Sequence, residues 1–152
     1  MSNKIVCQNR KARHEYEIDE VFEAGIVLLG PEVKSLREGR ANLVDSYAKV
    51  KGGEVFLLGM HITPYSYSHH MELEATRTRK LLLHNREIKR LIGKTQEKGL
   101  TLIPLKVYFT PKGKVKIELA VARGKKKYDK RQSLKEKDLK REIDQAKKRY
   151  EH

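Results

Sequence analysis

The sequence has no tryptophan and a single cysteine, Cys7. One thiol can neither close an internal disulfide nor furnish a thiolate-rich zinc site, so the chain is not a cross-linked scaffold. Aromatic residues supply only 7% and apolar residues only 38% of the 152 positions. No apolar run approaches the roughly 20 residues that a membrane-spanning helix requires. The opening Met1-Ser2-Asn3-Lys4-Ile5-Val6 has no apolar h-region, which points to a cytoplasmic protein. Positive charge is what the chain has in excess. Lys and Arg number 34 against 20 Asp and Glu, for a formal charge of +14. Such a surplus attracts polyanions, nucleic acid first among them, although an anionic membrane surface or solubility alone would also be served.

The charge is unevenly placed. Residues 1–122 hold 21 basic and 14 acidic residues, and residues 123–152 hold 13 and 6, so each part carries +7. The last thirty residues contain too few apolar side chains to offset their own ordering entropy with a core. The division is a body over 1–122 and a basic tail over 123–152. Within the tail, Leu139, Ile143, Ala146 and Tyr150 follow helical spacing, and Ser133 with Glu136 has the spacing of a capping box. A tail that is disordered when free and helical on a large anionic partner fits this pattern. A solvated helix resting on the body by its thin stripe is the other reading.

The body reads as short strands with a few helices. Tyr16 to Leu29 is extended, with Gly25 a bulge or close-approach site. Gly30-Pro31-Glu32 opens a short helix ending at Gly39, with Val33 and Leu36 inward. Lys51-Gly52-Gly53 joins two strands in a hairpin. Pro64 to Thr78 reads as a long loop, and Lys80 to His84 fits a strand or a helical turn. Asn85 is placed to cap a helix that Gly99 ends. Two strands follow over 100–109 and 114–122, the second with one apolar and one wet face. A small closed or nearly closed barrel with helices over its openings fits this order, and an α+β sandwich fits the pattern almost as well.

Catalytic and metal signatures are weak. The six histidines form no H-E-x-x-H, and His69-His70 alone is a poor ligand pair. Asp19, Glu20, Glu32 and Asp45 have no spacing that requires a metal, and no Walker loop or G-x-G-x-x-G is present. No enzyme activity and no cofactor are expected. Cationic clusters with amides and imidazoles are better represented. Asn9, Arg10, Lys11, Arg13 and His14 precede the first long strand, and Glu32, Lys34 and Arg37 share the short helix. Arg and Lys reach phosphates, while Asn and His reach base edges or sugar hydroxyls. Glu32 has two readings: an acceptor from a base amine or 2′-hydroxyl, or a helix-start residue. Arg77, Arg79 and Lys80 offer further phosphate contacts or a solvated face, and Tyr65 and Tyr67 serve stacking or packing equally well.

Several separate words in order carry a family resemblance. They include Asn9-Arg10-Lys11-Ala12, Phe22-Glu23-Ala24-Gly25-Ile26 and Gly30-Pro31-Glu32-Val33-Lys34-Ser35-Leu36-Arg37. Arg77-Thr78-Arg79-Lys80-Leu81-Leu82-Leu83-His84, Gly113-Lys114-Val115-Lys116 and Tyr128-Asp129-Lys130-Arg131 continue the series. The chain resembles, essentially end to end, the family of SsrA-binding proteins, partners of transfer-messenger RNA in bacterial ribosome rescue. The resemblance implies a mainly β body, a small oligonucleotide-binding-like β-barrel with two or three flanking helices, and a basic C-terminal tail. It implies a monomeric adaptor with no turnover that holds the transfer-RNA-like part of transfer-messenger RNA near its D-loop and elbow. Asn9, Arg10, Lys11, Arg13, His14, Glu32, Lys34 and Arg37 match body positions assigned to that RNA. Lys126, Tyr128, Asp129, Lys130 and Arg131 match the tail segment that reaches small-subunit ribosomal RNA at the decoding centre and the empty mRNA channel. Alanyl-tRNA synthetase and elongation factor Tu are implied as indirect partners. Tyr128 stands where the family often has His, Pro31 where it usually has Thr, and Leu139 where a tail Trp is common. A structural ribosomal-RNA-binding protein is the competing class, and a membrane-bound tail helix is the poorest, because its apolar face is short.

Overall fold

A computed structural model describes residues 3–64, 74–97 and 99–124. The order is β1 (Lys4–Gln8), α1 (Arg10–Glu15), β2 (Tyr16–Ile26), α2 (Gly30–Arg37), β3 (Ala41–Asn42) and β4 (Tyr47–Lys51). It continues through β5 (Glu54–Leu58), β6 (His61–Ile62), β7 (Arg79–Leu82), α3 (Asn85–Thr95), β8 (Leu100–Phe109) and β9 (Val115–Gly124). The architecture is mainly β, with an oligonucleotide-binding-like sheet and flanking helices. The main sheet runs β1-β8-β4-β5-β7-β2-β9, with β8 also paired to β9, and every pairing is antiparallel. β3 and β6 form a separate short pair.

Alternation makes this sheet. Val55, Leu57, Leu81, Ile117, Leu119 and Val121 are buried on one face, where Leu36, Leu43, Met60 and Leu91 complete the core. The β4–β5 hairpin turns on Gly52 and Gly53, both at positive φ (59° and 75°), as a two-glycine hairpin loop requires. Gly25 is a close-approach site: a Cβ there would meet Leu82 Cβ at 3.4 Å. The irregularity in β2 lies instead between Ile18 and Glu20. Helix α3 begins one residue earlier than its sequence cap suggests. His84 is the N-cap, and its backbone N–H donates to Glu87 Oε1 at 3.0 Å.

Two expectations change. The wet face of the last strand is wet only over its first half: Ala120 and Ala122 are fully buried beneath α1, in a second small core with Ala12, Ile103 and Leu105. The cause is α1 itself, a helix of only six residues whose single buried side chain, Ala12, leaves no apolar periodicity to read. β9 also runs on to Gly124, with Arg123 opposite both Glu17 and Leu100. Tyr65, Tyr67, His69 and His70, expected in a loop, and Lys126, Tyr128, Asp129, Lys130 and Arg131, expected in the tail, lie outside the described residues.

Candidate RNA-binding surface

Helix α1 is fixed from its first residue. The Asn9 N–H donates to Leu105 O at 2.7 Å, and Asn9 Nδ2 donates to Pro104 O at 3.3 Å. Asn9 is therefore an anchor to β8 as well as a surface amide. With Ala12 pinned against the sheet, helical spacing places Arg10, Arg13 and His14 on one flank and Lys11 on the other. The first three line an open groove of about 480 Å³ with Gln8, Lys106 and Glu118. Lys11 borders a smaller recess of about 100 Å³ with Glu15, Tyr16 and Asp45.

The groove is cationic but buffered. Glu118 faces Lys106 Nζ at 3.1 Å and Arg13 Nη2 at 3.8 Å, and Arg13 remains 66% exposed. An ion pair that long and that wet holds the guanidinium weakly, leaving it available to a phosphate. Glu118 also lies opposite Glu23 across the β2–β9 ladder. Two like charges there would repel, and the Tyr108 hydroxyl donates to Glu23. Burial and then the Glu23 carboxylate push the Tyr108 hydroxyl above its ordinary pKa, so it stays a donor. Lys106, Glu118, Glu23 and Tyr108 were not singled out as site residues from the sequence. Their signal is the outward phase of β8, β9 and β2 once a bulge resets the register of β8–β9 between Pro104 and Lys106.

The second cluster is built differently. Lys34 and Arg37 are exposed on α2, whereas Glu32 is only 4% exposed. Glu32 Oε1 accepts from the Leu29 N–H at 2.9 Å and from Arg77 Nη2 at 2.6 Å. Its Oε2 accepts from Arg79 Nε at 2.7 Å. Arg79, fully buried, also donates to Met60 O at 2.8 Å and Ala75 O at 3.1 Å. Burial alone pushes the Glu32 carboxyl up, but the Arg77 and Leu29 donors and Arg79 outweigh it and hold the carboxyl below its usual range. Of its two sequence readings, Glu32 takes the helix-start role, and more: both oxygens are already engaged within the protein. Arg79 is likewise a buried clamp rather than a phosphate contact, and Lys80 pairs with Glu54 at 2.8 Å. Ser35 Oγ, donating to Thr63 O at 2.6 Å, fixes the other side of α2. The α1 cations and the α2 cations thus sit in separate settings, one over a groove and one on a helix braced from below.

Among the described residues no three His, Cys, Asp or Glu side chains converge as a metal site, and no helix is long and apolar enough to cross a membrane. Burial pushes the Cys7 thiol up to about 11, away from the thiolate form that nucleophilic chemistry needs.

The chain matches the family model described as SmpB protein over residues 6–149. It is 66% identical to the SsrA-binding protein of Syntrophobacter fumaroxidans over 146 residues, covering 96% of this chain and 90% of that one. It is 57% identical to the SsrA-binding protein of Geobacillus thermodenitrificans over 143 residues, covering 94% and 92%. A solved chain described under "tmRNA-SmpB: a journey to the center of the bacterial ribosome" superposes with a TM-score of 0.67 at 50% identity, covering 78% of this chain and 83% of that one. An anchored cationic helix over a β-sheet of this topology, and sequence agreement that extends past the sheet to residue 149, lead to one assignment: the chain belongs to the SmpB family of SsrA-binding proteins.

Proposed function

We propose that the protein is a non-catalytic adaptor that binds the transfer-RNA-like part of transfer-messenger RNA and carries it into stalled ribosomes for trans-translation. The observation that carries this reading is the α1 groove. Arg10, Arg13 and His14 line it with Lys106, on a helix tied to β8 through Asn9. Its cations fit phosphates, and the amide and imidazole fit sugar or base edges. Lys11, Lys34 and Arg37 extend the cationic surface, and Glu32 serves it by bracing α2.

The sheet is read as a small barrel, because β8 pairs with both β4 and β9 and the pairings follow a continuous circuit. A body over 1–122 and a basic tail over 123–152 remain the division we propose, with the last described strand, β9, reaching two residues past that boundary to Gly124. Lys126, Tyr128, Asp129, Lys130 and Arg131 in that tail are assigned to ribosomal RNA at the decoding centre and mRNA channel, where Tyr128 has the chemistry to stack on a base. The protein acts as a cytoplasmic monomer, and alanyl-tRNA synthetase and elongation factor Tu act on the RNA it holds.

Pull-down at roughly physiological salt, with the full chain and a version ending at Gly124, tests this reading by sequencing the bound RNA. Transfer-messenger RNA enriched by both supports specific binding in the body. Recovery of ribosomal RNA alone by both replaces the adaptor with a structural ribosomal protein.

A further inference from the structure

A second exposed face combines cations with an aromatic ring, and the α1 groove does not use it. In the β4–β5 ladder Lys49 is opposite Phe56, and in the β5–β7 ladder Phe56 is opposite Lys80. The Phe56 ring therefore lies on a rung between two ammonium-bearing strands, about 10 Å apart from the strand spacing. Tyr47, 36% exposed, stands opposite Leu58 on a neighbouring rung, and Lys49 Nζ is 5.7 Å from the Tyr47 ring centre. Lys49, Lys51, Phe56, Leu58 and Thr78 line an open groove of about 490 Å³.

Like charges on both sides of one ring are unfavourable unless something anionic is shared between them. Glu54 pairs with Lys80 at 2.8 Å and is the cross-strand neighbour of Lys51, so Lys49 is the lysine of this face with no carboxylate opposite it among the described residues. Lys49 and Lys51 form no ion pair among the described residues. A partly exposed ring with the unpaired ammonium of Lys49 at its border, and Lys51 and Lys80 sharing the single carboxylate of Glu54 beside it, suits an unpaired nucleotide, base on the ring and phosphates on the ammonium groups. The chain's own residues 125–152 hold 12 Lys and Arg against 6 Asp and Glu, so this face repels them. The α1 groove lies elsewhere: α1 packs on β8 and β9, while β4 separates β5 from β8 and β2 separates β7 from β9. An RNA segment in that groove must turn around the sheet to arrive here.

We propose that the outer face of β4, β5 and β7 is a second RNA-binding surface, which takes an unpaired RNA segment with a base stacked on Phe56 and phosphates on Lys49 and Lys51. It rests on the RNA-binding reading of the protein but not on which RNA fills the α1 groove.

The test is ultraviolet cross-linking of the full chain to a short oligouridine, with adducts located by mass spectrometry, alongside anisotropy titrations over a range of salt. The expected result is an adduct at Phe56 or Tyr47 that persists when Arg10 and Arg13 are both changed to Ala. In that background Phe56→Leu, which keeps apolar volume, weakens oligouridine binding about tenfold. The Lys49→Glu, Lys51→Glu double variant lowers the salt slope by about 1.4. Phe56→Tyr restores the adduct, which a merely structural role for the ring would not require. Adducts confined to α1 peptides overturn the second surface and leave the first standing, and adducts nowhere overturn both. An adduct that appears only after removal of residues 125–152 shows the tail to be the occupant. One displaced by polyglutamate at low concentration shows an acidic protein to be the occupant; either result refutes the proposal.

Discussion

Replacing Glu32 with Gln separates bracing from RNA contact at a residue where the sequence allowed both. Gln retains an oxygen for the Leu29 N–H, so the change removes the charge and little of the cap. Two guanidinium groups then lose their counter-charge, Arg79 in full burial and Arg77 at 31% exposure. Breaking a buried ion pair costs about 3–5 kcal/mol. Water reaches Arg77 and screens its share, so the low end applies, about 3 kcal/mol at pH 7. For a body of this size that lowers Tm by about 12 °C, at about 4 °C per kcal/mol. Urea denaturation of both proteins between pH 7 and pH 3 measures it. The folded carboxyl lies below its ordinary value, so its contribution is complete above the unfolded pKa of about 4.3 and is lost as pH falls through the lower folded value. The gap between wild type and variant therefore stays constant down to about pH 4 and narrows below it. If Glu32→Gln unfolds within about 0.5 kcal/mol of wild type while its affinity for transfer-messenger RNA collapses, the carboxylate is an RNA contact and the bracing argument is wrong.

Arg10→Ala with Arg13→Ala should weaken transfer-messenger RNA binding and reduce the salt slope by about 1.4–1.8, as for two lost phosphate contacts. The double variant should leave the denaturation midpoint unchanged, and filter binding over a salt series checks the slope. Ala12→Leu should cost about 1–3 kcal/mol by overpacking the small core against Ala120 and Ala122, and it should weaken RNA binding without removing any cation. Calorimetry with the same binding assay would show both effects together. Gly59→Ala places a Cβ 3.2 Å from Asp45 O at φ +78°, and should destabilise the fold by about 1–2 kcal/mol with no specific effect on RNA.

Long elements were legible in the sequence because their side chains alternate or recur over many residues. β8 was expected over the residues it occupies, and the β4–β5 hairpin followed from paired apolar runs around two glycines. Short elements were not. β3 and β6 are two residues each, and β1 is stabilised by partners on β8 about a hundred residues away. Helix α1 reads as a polar, cationic stretch because only one of its six residues faces inward, and that residue is an alanine. Its effect on β9 was equally hidden. Ala120 and Ala122 look like the small residues of a wet face, yet they are small because a helix lies on them.

The candidate site divides along the same line. Arg10, Lys11, Arg13 and His14 were legible as a cluster because they are close in sequence and the roles proposed for them need only exposure. Which of them share a groove was not, because that depends on Ala12 setting the rotation of α1 against β8 and β9. Between its two readings, RNA contact and helix start, Glu32 could not be decided from the sequence. Its partners Arg77 and Arg79 lie more than forty residues away, and their own sequence readings, phosphate contacts or a solvated face, both place them at the surface rather than on a buried carboxylate. Glu32 holds both guanidinium groups, and Arg79 carries the connection from the N-terminus of α2 on to Met60 O and Ala75 O. Positive charge on this protein therefore has two kinds of work. The cations of the α1 groove face outward and share at most the weak, exposed pairing with Glu118, whereas Arg79 is buried on Glu32 and braces the helix that carries Lys34 and Arg37.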